Sequence, residues 1–309
     1  MLRLLRCIRP LNLALVYLTQ ILFYSLFFPS LGCGNGYEEF GYYKLVLSSP
    51  YIFLFAFITV SIAASGYLIN DYFDFDSDLK NAKTNRLRSK SANLVYYWVI
   101  VLIGFLLSLW MALVVVNQVL LAGIYLVAVA ALFMYSAVWK KQVLIGNVVV
   151  SLFSAFVILI LIYAEREYLA HTPKEFEVDL SSILIYSGFA FLVSMVREII
   201  KDIEDVSGDK TVGYRTLPIV YGIARAKGIA SFFAWWLLLL IIGWMTYLYL
   251  GVTPRMILLI SVMLLCIPVS YVLIKLLSKV KMNPKQLSQV CKVHMILGIV
   301  VLIINQIDF

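Results

Sequence analysis

Residues 70–78 read Asn-Asp-Tyr-Phe-Asp-Phe-Asp-Ser-Asp, and their placement directly after a long apolar run calls for a chemical reason. Asp71, Asp74 and Asp78 follow the pattern D-x-x-D-x-x-x-D, and Asp202, Asp205 and Asp209 repeat it. At 3.6 residues per turn, positions i, i+3 and i+7 share one helical face, so each segment predicts a wall of three carboxylates. One acidic segment of this kind is commonly a helix cap or a solvated loop. Two with identical spacing point instead to a shared task. Facing carboxylate walls repel unless a cation lies between them. Mg²⁺ suits that role because it is hard, prefers oxygen and keeps sites for waters and phosphate oxygens. A metal bridging to a diphosphate neutralises the charge that develops as the diphosphate leaves. Lys80, Lys83, Arg86, Arg88, Lys140, Lys141, Arg197, Lys201 and Lys210 supply nearby positive charge.

The elements that must position these residues are membrane spans. The 309-residue chain is 63% hydrophobic and only 14% charged, with a mean hydropathy of +0.95. An ordinary soluble domain is nearer half apolar, so this is read as an integral membrane protein. A span needs about 20 apolar residues. Nine segments qualify, near 11–31, 48–70, 94–116, 118–138, 143–164, 180–201, 228–250, 255–277 and 289–306. The first follows Arg3, Arg6 and Arg9 and is read as a transmembrane helix, because it is too long and too polar at Asn12 and Gln20 for a signal peptide. The N-terminal tail and the gaps after the even-numbered spans, with Arg197 and Lys201 at the end of the sixth, Lys275 at the end of the eighth and Lys292 at the start of the ninth, hold 21 of the 25 Lys and Arg. By the positive-inside rule the N-terminus is cytoplasmic, and so are both acidic segments, within 71–93 and 202–227. No composition break suggests a second domain, so residues 1–309 are read as one.

The net charge of +8 does not indicate nucleic acid, because the cations sit in the gaps between apolar runs. Cys7, Cys33, Cys266 and Cys291 form no CxxC, and His171 and His294 are the two histidines. A zinc, haem or disulfide framework is not expected.

At this point the chain resembles the UbiA superfamily of membrane prenyltransferases. The first family motif, N-D-x-x-D-x-x-x-D, is matched in full by residues 70–78. The second appears as Lys201-Asp202-x-x-Asp205-x-x-Gly208-Asp209, followed by Thr216-Leu217-Pro218 and Tyr221-Gly222. Arg9-Pro10-x-Asn12, Tyr135-Ser136, Lys140 and Gly146-Asn147 fit as well, so the resemblance covers nearly the whole chain. It implies a nine-helix bundle around a central cavity open to lipid. It also implies a polyprenyl diphosphate donor with its head at the two motifs, and capture of an allylic cation-like centre by a second substrate. The run from Arg197 to Lys210 is similar to digeranylgeranylglyceryl phosphate synthase-like members. That similarity implies a geranylgeranyl donor and the hydroxyl of geranylgeranylglyceryl phosphate as acceptor, with an aromatic quinone or tocopherol precursor as the alternative. One departure stands out: Asn81 to Lys90 lacks the prolines and closing glycine that the family often carries after its first motif.

The resemblance assigns Asn70, Asp74, Asp78, Asp202, Asp205 and Asp209 to Mg²⁺, with Asp71 in support. Arg86, Lys140 and Lys201 are assigned to phosphate, with Arg197 among the accompanying cations. Asn12, Asn147 and Ser151 are polar positions in or beside spans, which either bond between helices or serve the site. Tyr67 and Tyr135 are candidates to face a developing allylic cation. His294 is read as a packed polar residue and not as a base. A cation-coupled transporter is the alternative of another class, but it leaves the repeated spacing unexplained. A phosphatidyltransferase would carry an Asp-Gly start and a later Ala-Arg that this chain lacks. Membrane lipids are the expected surroundings, with no nucleic acid and no obligate protein partner.

Overall fold

The computed structural model describes residues 7–28, 45–48, 50–80, 89–171, 178–250, 255–278 and 282–305, and these are helical with no strand among them. In chain order the helices are α1 (Pro10–Phe27), α2 (Tyr51–Lys80), α3 (Lys90–Trp110), α4 (Leu120–Ala137), α5 (Ile145–Ala164), α6 (Arg166–His171), α7 (Leu180–Thr211), α8 (Leu217–Tyr221), α9 (Ile223–Leu250), α10 (Arg255–Leu277) and α11 (Pro284–Ile304). A π turn, Met111–Val115, extends α3, and a 3₁₀ turn, Trp139–Lys141, precedes α5. Nine helices among the described residues are long and apolar enough to cross a bilayer: α1 to α5, α7, α9, α10 and α11. The chain is an integral membrane protein. Large apolar side chains such as Leu102, Leu120, Phe232, Leu239 and Ile267 are exposed, as lipid-facing surfaces require.

Two helices run further than hydropathy alone predicts. α2 continues ten residues past Asn70, and α7 continues ten past Lys201. At 1.5 Å per residue they are about 45 and 48 Å long, against a hydrocarbon core of about 30 Å. Each acidic row therefore rides on an unbroken helical extension and is not in a loop. Hydropathy falls at the first charges, but no proline or helix-breaking turn follows until α7 closes at Gly213. Gly213 takes φ +76°, and Tyr214 N–H donates back to the Asp209 carbonyl at 3.0 Å, a helix end that favours glycine.

The chain divides into two compact units. The first comprises residues 1–139 and 157–180. Here α2 packs against α1, α3 and α4, and α3 against α4. Gly104 of α3 faces the Tyr125 hydroxyl and Ser61, where any Cβ would collide with both. That close approach lets Tyr125 donate to the Val101 carbonyl at 3.2 Å. At the opposite end of α2 from the acidic row, Glu165 is fully buried. It accepts hydrogen bonds from the Tyr24 hydroxyl (2.9 Å), Val46 N–H (2.9 Å) and Leu47 N–H (2.6 Å), tying the end of α1 and the turn before α2 to the end of α5. Burial pushes the Glu165 carboxyl above its ordinary value, and the three donors oppose the rise without cancelling it.

The second unit comprises residues 140–156 and 181–309. α10 packs against α9 and α11, and α8 braces α9. Pro268 lies inside α10. α7 joins the first half of α5 through Ser194, which donates to Ser154 at 2.8 Å. His294 is buried on α11 beside Cys291, Val193 and Val196, and its Nδ1 has no hydrogen-bond partner among the described residues.

Candidate active site

In the first unit the acidic row begins with an internal bond. Asn70 Nδ2 donates to Asp74 Oδ2 at 2.9 Å across one helical turn. An i,i+4 pair of this type supports the helix and fixes one carboxylate oxygen. Asp71 points to a different partner. It is 8% exposed, and Oδ1 lies 3.9 Å from Arg9 Nη2. The Arg9 guanidinium also sits 4.7 Å from the centre of the Tyr67 ring, and Asn12 Nδ2 donates to the Tyr67 hydroxyl at 3.3 Å. Arg9 has φ 53° and ψ 65°, in the left-handed region, just before Pro10. Proline disfavours the right-handed helical region for its predecessor, and strain of this kind persists only where surrounding contacts hold it. Here those contacts are Asp71 and Tyr67. α2 carries the backbone of Asp78 one turn beyond Asp74, and the side chain of Asp78 lies outside the described residues, as does the whole of Arg86. Tyr135 is half-buried near the end of α4.

In the second unit the same device recurs. Asn147 Nδ2 donates to Asp202 Oδ2 at 2.8 Å, linking α5 to α7. Asn147 is itself buried, and its carbonyl accepts from the fully buried Ser151 hydroxyl at 2.7 Å. Along α7, Asp205 is exposed and Asp209 half-buried. One turn before Asp202, Glu198 bonds to Arg197 and accepts from Lys201 Nζ at 3.3 Å. Lys140 is half-buried in the 3₁₀ turn. Its neighbour Lys141 lies 5.8 Å from the Tyr214 ring centre and accepts Arg215 N–H on its carbonyl at 2.9 Å, which ties that turn to the segment after α7.

Each acidic row thus carries one carboxylate held by an asparagine amide. The donor set is oxygen throughout, which fits a hard divalent cation. Among the described residues no three carboxylate, histidine or cysteine groups are gathered closely enough to hold an ion by themselves. The motifs include Arg9 without naming Asp71 and Tyr67 as its partners, and they miss Glu198, the carboxylate between Arg197 and Lys201. The i, i+3, i+4 spacing of Glu198, Lys201 and Asp202 is the signal that marks Glu198. For Arg9, the signal is its place in the Arg9-Pro10-x-Asn12 motif.

Apolar spans that carry carboxylate rows on helical extensions define an integral membrane protein with acidic groups at the ends of two of its spans. Residues 41–294 match the model of the UbiA prenyltransferase family, and the chain belongs to that family. Among its relatives is the digeranylgeranylglyceryl phosphate synthase of Methanosphaera stadtmanae, 29% identical over 231 residues, which covers 72% of this chain and 70% of that one. The synthase of the same name from Natronomonas pharaonis is 32% identical over 195 residues, covering 60% and 63%. That of Thermococcus kodakarensis is 35% identical over 187 residues, covering 59% and 60%. The matched stretches thus span roughly two thirds of these relatives or somewhat less. A solved structure described as concerning digeranylgeranylglyceryl phosphate synthase in membranes superposes with a TM-score of 0.65, at 21% identity, over 99% of this chain and 98% of that one. The two share a fold.

Proposed function

We propose that the chain transfers a geranylgeranyl group from geranylgeranyl diphosphate to the hydroxyl of geranylgeranylglyceryl phosphate, with residues 1–309 acting as one catalytic domain. The observation that carries this reading is the doubled acidic row, each on an extended helix and each with an asparagine-held carboxylate. The names of the relatives support the choice of substrates. In the reaction the bond from prenyl C1 to the diphosphate oxygen breaks, and a bond from C1 to the acceptor oxygen forms. The hydroxyl proton is lost and diphosphate departs.

Asn70, Asp74 and Asp78 on α2, with Asp202, Asp205 and Asp209 on α7, would hold Mg²⁺. When bound, Mg²⁺ neutralises the charge that grows on the leaving diphosphate. Asn70 and Asn147 keep their carboxylates oriented before substrate arrives, so little reorganisation is needed. Asp71 is engaged with Arg9 and acts in support, setting where the row begins relative to α1. Arg86, Lys140, Arg197 and Lys201 bind phosphate oxygens. Tyr67, held by Arg9 and Asn12, and Tyr135 would face the developing allylic cation. The distribution of basic residues supports a cytoplasmic N-terminus and an active site facing the cytoplasm.

The test is diphosphate release from geranylgeranyl diphosphate by the purified full-length protein. EDTA abolishes release and excess Mg²⁺ restores it. Asp74→Asn and Asp205→Asn each lower the rate by about a hundredfold or more, the scale of losing one charge-stabilising group. Unchanged release in either variant would remove the acidic rows from the mechanism.

A further inference from the structure

Glu198 belongs to neither aspartate row, yet it is 7% exposed and bonded to two cations. Lys201 stands three residues on, where side chains on a helix meet naturally. Arg197 is its sequence neighbour, and neighbours on a helix diverge. Contact between Arg197 and Glu198 therefore means that one of the two side chains reaches across α7 to the other. The Arg197 side chain is 17% exposed, and its Nε is a buried donor with no hydrogen-bond partner among the described residues. Buried donors are rarely left unpaired, and cations beside a membrane core are costly without an anion. Asp202 follows Lys201 directly, so Glu198 and Asp202 balance the two cations, and it is the unpaired Nε of Arg197 that leaves room for a further anion.

We propose that Glu198 is a positioning residue: it holds Arg197 and Lys201 as a seat for the phosphate monoester of the acceptor lipid. This rests on the function proposed above and adds which part of the site reads the acceptor. A phosphate monoester carries close to two negative charges at neutral pH, and the planar fork of arginine suits it. The donor's diphosphate is assigned to the carboxylate rows through metal, and the seat offers cations without that metal. It lies one turn before Asp202, on the side of the row towards the body of α7. An acceptor lacking a phosphate would leave the seat empty, so the seat also selects for phosphorylated acceptors.

The test uses full-length protein in nanodiscs, with chelator present for binding and Mg²⁺ for kinetics. Binding is read as thermal stabilisation by a dialkylglycerol phosphate against the same lipid without phosphate. Kinetics are read as separate KM values for donor and acceptor. Glu198→Gln keeps both cations and removes a negative charge. A seat that works by bulk charge would then bind the phosphate lipid more tightly. A seat that works by geometry binds it about tenfold more weakly, because two long side chains must be ordered anew. We expect the weaker binding, an acceptor KM raised by the same factor, an unchanged donor KM and partial rescue by Glu198→Asp. Tighter or unchanged acceptor binding, or a rise confined to the donor KM, overturns the proposal. If Glu198→Gln does not accumulate, Lys201→Gln, at the more exposed edge, gives the same two readouts. Wild-type protein that prefers the phosphate lipid but transfers no prenyl group refutes the proposed function and leaves the seat standing. Transfer with no effect of either substitution does the reverse.

Discussion

Replacing Asn147 with alanine isolates the asparagine–aspartate device. The amide donates to Asp202 Oδ2 at 2.8 Å, and Asn147 is 6% exposed, so bulk water does not replace the lost donor freely. A hydrogen bond to a charged group contributes about 1.5–3 kcal/mol. If that energy is realised in the transition state, kcat/KM falls roughly 10- to 150-fold, at 1.36 kcal/mol per decade. The assay is a double-mutant cycle on diphosphate release with Asn147→Ala, Asp202→Ala and the pair. Asp202→Ala costs more than Asn147→Ala, and the double variant is no worse than Asp202→Ala alone, because the amide has nothing left to orient. Thermal unfolding is recorded beside each rate, since Asn147 also joins α5 to α7. Additive losses, or a fall in rate matched by loss of fold, would refute the claim that Asn147 acts through Asp202.

Arg9→Ala removes a half-exposed ion pair and a cation–π contact, each contributing up to about 1 kcal/mol, so activity falls by about tenfold. Arg9→Lys recovers part of it, and steady-state kinetics decide. Glu165→Ala leaves three donors without their acceptor, at about 1–3 kcal/mol each, and lowers the unfolding temperature with little change in KM. Because the folded-state carboxyl of Glu165 titrates above its unfolded value, its contribution to stability is greatest below the unfolded value and declines as pH rises through the folded one. Glu165→Gln flattens that part of the stability–pH curve, measured by thermal scans across pH. Gly104→Leu drives a side chain into Tyr125 and Ser61 and destabilises the first unit by about 1–3 kcal/mol, read by the same scans.

Much of this was legible in the linear chain, for identifiable reasons. Hydropathy runs announce the nine spans, and the helical period places Asp71, Asp74 and Asp78 on one face as surely as Asp202, Asp205 and Asp209. Hydropathy fails at the ends of α2 and α7, because it registers partition into lipid while helix continuation depends on the backbone. The motifs were therefore expected past the spans, whereas they ride on the span helices themselves. Pairings across long separations leave no local trace: Asn147 reaches Asp202 across 55 residues, and nothing near Arg9 names Asp71 as its partner. Glu198 lay hidden inside an apolar window and Glu165 just beyond one. Only the packing reveals that the first holds two cations and the second anchors three donors.

The most direct test incubates the purified protein and Mg²⁺ with geranylgeranyl diphosphate and, in parallel, geranylgeranylglyceryl phosphate, 4-hydroxybenzoate and dihydroxynaphthoate, and weighs the products. The account predicts one new species, geranylgeranylglyceryl phosphate bearing a second geranylgeranyl group in ether linkage, and none from the aromatic acids. A prenylated aromatic product, or donor recovered intact with every acceptor, would contradict it.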